Sequence, residues 1–117
     1  MQQIMKYSER ISEYESMWLL VFFDMPTETK EQRRAYTDFR KRIINDGFTM
    51  FQFSIYVRHC QTRDSADVHR QRVRNLIPQW GEIGILMITD KQFGQIELFR
   101  GVKRDPPRPT AIQLELF

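Results

Sequence analysis

The sequence predicts an α+β fold in which one β-sheet lies under two amphipathic helices. Apolar runs of strand length occur at residues 17–24, 48–57 and 82–89, and segments with helical periodicity at residues 28–45 and 65–77 separate them. A chain of 117 residues is of single-domain size. The simplest sandwich with this alternation is the ferredoxin-like fold, with element order βαββαβ. That fold needs two strands between its helices, whereas the pattern shows one long run.

The first apolar run, residues 17–24, is typical of a central strand because its apolarity is almost continuous. Pro26 ends this strand, and either Thr27 or Thr29 is expected to cap the first helix through its hydroxyl oxygen. The helix is predicted to stop at residues 45–47, which form the turn sequence Asn-Asp-Gly.

The first helix presents two different faces when its residues are spaced by about 100°. The apolar stripe that is predicted to pack on the sheet consists of Ala35, Tyr36, Phe39 and Ile43. The opposite face is basic and consists of Lys30, Arg33, Arg34, Arg40 and Lys41. With a net charge of +3 and a sequence pI near 9.2, this face is either an ordinary solvated surface or a binding surface for a polyanion.

The aromatic-rich run at residues 48–57 is predicted to be one strand, with a bend near residues 52–54. After it, Asp64 or Ser65 is expected to cap the second helix. The inward positions of that helix are predicted to be Ala66, Val73, Leu76 and Ile77.

The strand at residues 82–89 is followed by a turn at residues 90–92 and a predicted shorter strand at residues 95–99. Residues 103–109 contain three prolines and are predicted to form a stiff, extended linker. The alternating segment 111–117 is predicted to be a strand. One short strand is unstable alone, so it must add to a sheet edge of its own chain or of a partner.

Composition and segment lengths limit the class of protein. Cys60 is the single cysteine, so no intrachain disulfide is possible. The N-terminus lacks the apolar core of a signal peptide, and no apolar run is long enough to span a bilayer. The sequence therefore predicts a cytoplasmic protein without a membrane partner. It divides into an extension at residues 1–16, a ferredoxin-like domain at residues 17–101 and a linker with a C-terminal strand at residues 102–117.

Asp24 is the strongest candidate for a functional residue because it places a carboxylate at the end of an apolar strand. Such a charge costs free energy to desolvate unless a hydrogen bond, a cation or water compensates it. Asp24 either caps the following helix or is exposed at the sheet rim as a site. One carboxylate is a poor Mg²⁺ site. In a two-fold dimer, two Asp24 side chains near the axis could hold the ion together.

Other residues suggest alternatives that involve metal or base stacking. His59 and Cys60 are adjacent, which matches no common structural zinc spacing, and no motif marks Cys60 as a nucleophile. His69 lies at the edge of an apolar stripe, where packing is the expected role. Six aromatic residues offer either core packing or a stacking platform for single-stranded RNA: Trp18, Phe48, Phe51, Phe53, Tyr56 and Phe99.

Three segments together carry a family resemblance. They are Trp-Leu-Leu-Val-Phe-Phe-Asp-Met-Pro-Thr at residues 18–27, Asp-Gly-Phe-Thr-Met-Phe-Gln-Phe-Ser-Ile-Tyr-Val-Arg-His at residues 46–59 and Ile-Thr-Asp-Lys-Gln-Phe-Gly-Gln-Ile at residues 88–96. In combination they resemble the small CRISPR-associated endoribonuclease family, the second core protein of CRISPR adaptation, in the version that accompanies type II systems. The resemblance covers about residues 17–101.

The resemblance implies a ferredoxin-like homodimer that hydrolyses RNA or DNA phosphodiester bonds with Mg²⁺. The family's catalytic and metal-binding aspartate falls on Asp24, its supporting serine on Ser54, and its basic helix on Arg33 and Arg34. Family members often carry further acidic residues just after this aspartate, where this chain has Met-Pro-Thr. That difference weakens the expectation of strong independent catalysis.

The same family bridges two dimers of the CRISPR integrase and holds the duplex DNA that becomes a new spacer. For this chain, the resemblance implies that the basic helix face, Arg40 and Lys41 included, contacts phosphates without sequence preference. It also implies that the tail at residues 110–117 crosses the dimer or docks the integrase. A purely structural adaptor and a toxin-like ribonuclease on the same fold are the alternatives to an adaptation protein with an endonuclease site.

Overall fold

The computed structural model describes residues 15–101, which form a four-stranded antiparallel sheet with two long helices on one face. The elements are β1 (Met17–Asp24), α1 (Lys30–Asn45), β2 (Thr49–Gln52), β3 (Ile55–Cys60), α2 (Arg63–Arg74), β4 (Glu82–Thr89) and α3 (Asp90–Gly94). The strand order is β2-β3-β1-β4. This is the ferredoxin-like α+β arrangement, so the predicted fold class is confirmed.

Two predicted segments fall largely outside this range. The N-terminal extension at residues 1–16 is described only at its last two residues, and the linker and strand at residues 102–117 lie outside the described residues. What was predicted for them stays a prediction. Within the described part of the chain, no helix has the length and apolar character needed to cross a membrane.

Strand β1 lies between β3 and β4 and separates two clusters of buried side chains. Its odd-numbered residues from Met17 to Phe23 are at most 5% exposed and pack beneath α1 and α2, on what we call the helix face. Trp18 and Leu20 point to the opposite side, the open face, where they join Phe93 of α3. Pairing with β3 on one edge and β4 on the other confirms that residues 17–24 form a central strand, and the strand is covered on both faces as far as Val21.

The apolar run at residues 48–57 is the hairpin β2–β3, so the prediction of one long strand is wrong. Phe53 and Ser54 form its turn, and Ser54 has a φ of 65°, which non-glycine residues rarely adopt. A bulge between Met50 and Gln52 shifts the register just before the turn. The sequence pattern hides the reversal because neither turn residue is Gly, Asn or Asp.

Helix α1 is bounded by the signals that the sequence carries. The Thr29 hydroxyl accepts a hydrogen bond from Gln32 N at 3.1 Å, and the Gln32 side chain accepts one from Thr29 N at 3.1 Å. This capping box selects Thr29 from the two predicted caps. The helix ends at Asn45, and Gly47 follows with a φ of 99°, which confirms the predicted stop.

Helix α2 starts and ends earlier than predicted. Thr62, not Asp64 or Ser65, is its cap, because the Thr62 hydroxyl accepts a hydrogen bond from Ser65 N at 3.0 Å. The helix ends at Arg74. Ile77 therefore lies beyond the helix and is 43% exposed, so its predicted inward position is wrong.

The predicted shorter strand at residues 95–99 is absent, since β4 runs directly into α3 and those residues form no regular element. The Thr89 hydroxyl accepts from Gln92 N at 3.1 Å, and the Gln92 side chain accepts from Thr89 N at 2.9 Å. This second capping box starts a helix where a turn was expected. Phe93 of this helix stacks on Trp18 with ring centroids 3.9 Å apart. Helix α3 thus covers one end of the open face.

Asp46 ties the end of α1 to α2 and β3. Its carboxylate accepts hydrogen bonds from His69 Nδ1 at 2.8 Å and Arg72 Nη1 at 2.9 Å, and its carbonyl accepts from Arg58 Nε at 2.8 Å. The Asp46 side chain is only 11% exposed, so these bonds replace the water it has lost. His69, whose side chain is 12% exposed, therefore has a structural role through its bond to Asp46.

Replacing Asp46 by alanine is expected to lower the free energy of unfolding by about 1–3 kcal/mol, because His69 and Arg72 lose their shared acceptor. Urea denaturation measures the change. The matched control is Asp38→Ala, which removes an ion pair with Arg42 whose side chains are both 58% exposed. That variant should lose less than about 0.5 kcal/mol. Equal losses from the two variants would contradict the role given to Asp46.

Candidate active site and nucleic-acid interface

Asp24 is the last residue of β1, and its side chain lies on the open face of the sheet. The side chain is exposed to solvent, and its carboxylate makes no hydrogen bond or ion pair with any of residues 15–101. Because Thr29 caps the following helix, the alternative in which Asp24 is the cap is wrong. Water hydrates the carboxylate, which leaves it available to a ligand.

A shallow depression at this end of the sheet brings Asp24 together with Ser54. It is lined by Phe22, Phe23, Asp24, Ser54, Ile55, Glu82, Ile83 and Gly84. The Ser54 carbonyl accepts a hydrogen bond from Phe23 N at 3.1 Å, which holds the β2–β3 turn against the end of β1. The predicted supporting residue therefore lies beside the predicted catalytic residue, although the two are distant in sequence.

Glu82 is a second carboxylate at this site that was not anticipated from the sequence. The antiparallel register of β1 and β4 pairs Asp24 with Glu82, and directly opposed residues project from the same face. Glu82 is also exposed. The sequence did contain one indication of Glu82. The runs at residues 17–24 and 82–89 have equal length. If they are aligned end to end as an antiparallel pair, Asp24 lies opposite Glu82.

Asp24 and Glu82 are the oxygen donors that this depression offers to a metal ion. Mg²⁺ takes one or two carboxylates and completes its shell with water and substrate oxygens, so the pair fits that ion. Across residues 15–101, no group of three or more His, Cys, Asp or Glu side chains is placed to hold a metal. Residues 15–101 therefore supply only part of a Mg²⁺ coordination shell. The remaining oxygen ligands must come from outside these residues.

Exposed apolar side chains adjoin Asp24 on the open face. Phe22 is 46% exposed and Leu86 is 48% exposed, and we call these two residues the apolar patch. The Phe22 ring lies over Gly84, where a Cβ atom would overlap the ring. Glycine at this position lets the ring rest on β4. The patch belongs to the end of the open face that α3 leaves uncovered.

The predicted nucleic-acid-binding residues do not all share one surface. An open surface of α1, which we call the basic face, is lined by Lys30, Arg33, Arg34, Thr37, Asp38 and Lys41. It points away from the sheet because the opposite side of α1 is buried. Arg40 lies apart from it, and its Nε donates to Tyr56 Oη at 2.6 Å. The basic face and Asp24 are therefore on opposite sides of the fold.

The basic side chains of the basic face differ in whether they are held by other groups of the protein. Arg33 Nη1 donates to the carbonyls of Thr27 at 3.1 Å and Glu28 at 2.9 Å, so it braces the loop that precedes α1. Arg34 and Lys41 make no side-chain hydrogen bond or ion pair with residues 15–101. Of the predicted contacts to phosphate, these two are the most available.

The alternative chemistries found in the sequence are not supported by the structure. Cys60 is 1% exposed, with its Sγ 3.6 Å from Arg58 Nη1, so a substrate in solvent has no access to it. The His59 ring lies against Trp18, with centroids 5.0 Å apart. His69 is engaged with Asp46.

The six aromatic residues do not form one stacking platform. Trp18, Phe48 and Tyr56 are buried, and Phe51 is half-buried. Phe53 and Phe99 project to solvent, with 81% and 66% of their surfaces exposed. Of the six, these two rings alone are largely open to solvent, and they are single exposed side chains.

Comparison with known proteins assigns the family. The family described as CRISPR associated protein Cas2 matches residues 17–96. A Flavobacterium psychrophilum protein named CRISPR-associated endoribonuclease Cas2 is 53% identical over 108 residues, which cover 92% of this chain and 94% of that protein. A protein of the same name from Parvibaculum lavamentivorans is 46% identical over 86% of this chain and 100% of its own length. Another from Paracidovorax avenae is 38% identical over 89% of this chain and 96% of its own length. With its ferredoxin-like sheet and its strand-end aspartate, the chain belongs to the CRISPR-associated Cas2 family.

Proposed function

We propose that this protein is a Mg²⁺-dependent endoribonuclease of CRISPR adaptation whose active site is built on Asp24. The observation that carries the proposal is the placement of this carboxylate. It is exposed at the rigid end of a central strand, has no side-chain partner among residues 15–101, and lies opposite Glu82. The relatives are endoribonucleases by name, which makes RNA the expected substrate. Groups on a strand are held more rigidly than groups on a loop, as a catalytic site requires.

The residues of the depression have distinct roles in this proposal. Asp24 and Glu82 would hold Mg²⁺, which when bound supplies charge stabilisation for the phosphate and a more acidic water. Ser54 keeps the β2–β3 turn beside them through its backbone bond to Phe23. Within residues 15–101, no Lys or Arg lines the depression, so without a cation the two carboxylates repel a phosphate. Cleavage is therefore expected to depend strictly on a divalent cation.

A homodimer would complete this site. One protomer offers two carboxylates in the depression, and a two-fold axis passing near Asp24 would bring four together. The apolar patch of Phe22 and Leu86 adjoins Asp24 and supports an interface there, because exposed apolar surface of this kind favours protein contact. Helix α3 covers the other end of the open face, which directs the partner to the Asp24 end.

A second candidate function is a non-catalytic adaptor that clamps duplex DNA and bridges two dimers of the CRISPR integrase. The basic face favours it, since Arg34 and Lys41 extend to solvent on the side of the fold opposite Asp24. Two-fold symmetry would double this face along a duplex, and contacts to phosphates need no sequence preference. The tail at residues 110–117 is expected to dock the integrase or to cross the dimer. The two surfaces are separate, so one protein can serve both functions.

The nuclease function is tested with purified protein, labelled single-stranded RNA and duplex DNA in Mg²⁺, Mn²⁺ or EDTA. Cation-dependent cleavage of RNA supports it. Thermal shifts with Mg²⁺ alone test the metal site directly, and the shift should be lost in Asp24→Asn. No cleavage with either cation, together with intact duplex binding, would favour the adaptor. Growth arrest on expression without a CRISPR locus would favour the toxin-like ribonuclease.

The double charge reversal Arg34→Glu with Lys41→Glu is expected to weaken duplex DNA binding by roughly tenfold or more at low salt, because phosphate contacts are lost. The slope of log Kd against log salt should fall by about 1 for each contact removed. Fluorescence anisotropy with a labelled duplex measures both. Arg74→Glu makes the same charge change on α2 and is the control. If it weakens binding as much per charge, overall charge and not the basic face governs affinity.

A further inference from the structure

Gly81 packs against the backbone of Asp24 with no room for a side chain. It directly precedes Glu82 of β4 and has a φ of 94°, a value that residues with a Cβ atom rarely adopt. A Cβ atom on this residue would lie 2.7 Å from the Asp24 carbonyl oxygen and 2.8 Å from Met25 Cγ. Ordinary van der Waals contact begins near 3.4 Å. The chain can therefore pass this close to Asp24 only because residue 81 is glycine.

The Asp24 side of this contact is fixed, so a larger residue in place of Gly81 would displace β4 and not β1. Met25 is 8% exposed and belongs to the core beneath the helices. The Phe23 amide donates a hydrogen bond of 3.1 Å to the β2–β3 turn on the other edge of β1. Gly81, in contrast, is the last residue of the irregular connection between α2 and β4. Relief of the overlap would move Glu82 away from Asp24 by roughly half an ångström or more.

The separation of Asp24 and Glu82 matters because these opposed carboxylates are the oxygen donors of the proposed metal site. Mg²⁺ requires near-octahedral ligands at about 2.0–2.1 Å, whereas Ca²⁺ accepts a looser geometry and distances of about 2.3–2.6 Å. Functional groups in general need placement to within about 0.5 Å. A displacement of Glu82 by that amount is therefore severe for Mg²⁺ and tolerable for Ca²⁺.

We propose that Gly81 is a positioning residue that sets the separation of Asp24 and Glu82 and thereby makes the site selective for Mg²⁺ over Ca²⁺. This inference rests on the proposed nuclease function and deepens it, since it names the residue that tunes the metal site. Gly81 has no side chain with which to bind metal or RNA, so it acts only through the two carboxylates.

Cation binding without RNA tests the role of Gly81. Thermal denaturation of the full-length protein at increasing Mg²⁺ or Ca²⁺ gives an apparent Kd for each ion, relative to the metal-free melting temperature of the same variant. Gly81→Ala is expected to raise the Kd for Mg²⁺ by about 10- to 100-fold, as is usual for residues that support metal ligands, and the Kd for Ca²⁺ by less than about threefold. Equal changes for the two ions, or wild-type Mg²⁺ affinity in the variant, would overturn the inference.

Two further variants separate the overlap of the Cβ atom from backbone strain. Gly81→Asn should behave like Gly81→Ala, because asparagine adopts a positive φ more readily but still carries a Cβ atom. Gly47→Ala is the matched control, since Gly47 has a φ of 99° but its Cβ atom would meet the flexible Arg58 side chain, 2.9 Å away. It should lower the melting temperature and leave both Kd values unchanged. If it weakens Mg²⁺ binding as Gly81→Ala does, general destabilisation explains the effect and the inference fails.

A crystal structure of metal-free Gly81→Ala separates this inference from the nuclease proposal. The distance between the Cα atoms of Asp24 and Glu82 should exceed the wild-type distance by roughly half an ångström or more. An unchanged distance rejects the role of Gly81 even if the wild type cleaves RNA. A widened distance, together with a wild type that neither binds Mg²⁺ nor cleaves RNA, retains Gly81 as the residue that spaces the carboxylates and rejects the nuclease.

Discussion

Replacing Asp24 by alanine is expected to lower kcat for RNA cleavage by roughly a thousandfold or more while leaving the fold intact. A metal-assisted site derives several kcal/mol of transition-state stabilisation from its ion, and about 1.4 kcal/mol corresponds to a tenfold change in rate. The Asp24 side chain is exposed and has no partner among residues 15–101, so its removal costs little stability. Initial rates at saturating Mg²⁺ and RNA measure the change, and thermal denaturation verifies that the variant is folded.

Two further variants decide whether that loss is specific to the site. Glu82→Gln keeps the size of the side chain and removes the second charge. It is expected to raise the Mg²⁺ concentration needed for half-maximal rate and to lower kcat by less than Asp24→Ala does. Asp38→Ala removes an exposed carboxylate from α1 and should change neither kcat nor the Mg²⁺ concentration needed for half-maximal rate. Wild-type rates in Asp24→Ala would place the chemistry elsewhere, and equal loss in Asp38→Ala would make overall charge responsible.

Replacing Trp18 by alanine is expected to lower the free energy of unfolding by about 3–5 kcal/mol, the usual range for removing a large core aromatic. Trp18 is 1% exposed, stacks on Phe93 at 3.9 Å, and donates from Nε1 to Asp90 Oδ1 at 2.7 Å. It therefore joins α3 to the open face of the sheet. Such a loss approaches the whole stability of a small domain. Urea denaturation followed by far-UV circular dichroism measures it.

A double-mutant cycle separates the ring from its hydrogen bond. Trp18→Phe keeps an apolar ring and removes the donor, which should cost about 1 kcal/mol beyond the change in packing. Combining it with Asp90→Ala measures the coupling between the two side chains, and the cycle cancels any contribution of Asp90 to the dipole of α3. We expect about 0.5–1.5 kcal/mol of coupling. A value near zero would mean that packing on Phe93 alone accounts for the role of Trp18.

Elements with strong local signals were predictable from the sequence. β1 was recognised because a strand buried on both faces needs an almost continuous apolar run, and α1 because its apolar residues recur at helical spacing. The β2–β3 reversal was missed, since Phe53 and Ser54 are not residues that usually mark a tight turn. Helix α3 was missed because the capping box of Thr89 and Gln92 lies inside a segment whose polar residues suggested a turn.

Some residues of the candidate site were likewise indicated by the sequence, and others were placed only by the tertiary structure. Asp24 stands out by its position after an apolar strand, and Ser54 was identified by family resemblance. Glu82 emerged only with the register of β4 against β1. Arg40 shares the helical spacing of the basic residues, but its hydrogen bond to Tyr56, which lies on another element, separates it from the basic face.

The sequence by itself determined four elements in their order along the chain (β1, α1, α2 and β4), the amphipathic character of α1 and the presence of a carboxylate at the end of β1. Each of these depends on residues within a few positions of one another. Only the tertiary structure decided that Asp24 lies on the open face, that Ser54 and Glu82 lie beside it, and that the basic face is on the opposite side. Those relations depend on strand register and layer packing, because pairing and burial across the whole sheet bring distant residues together.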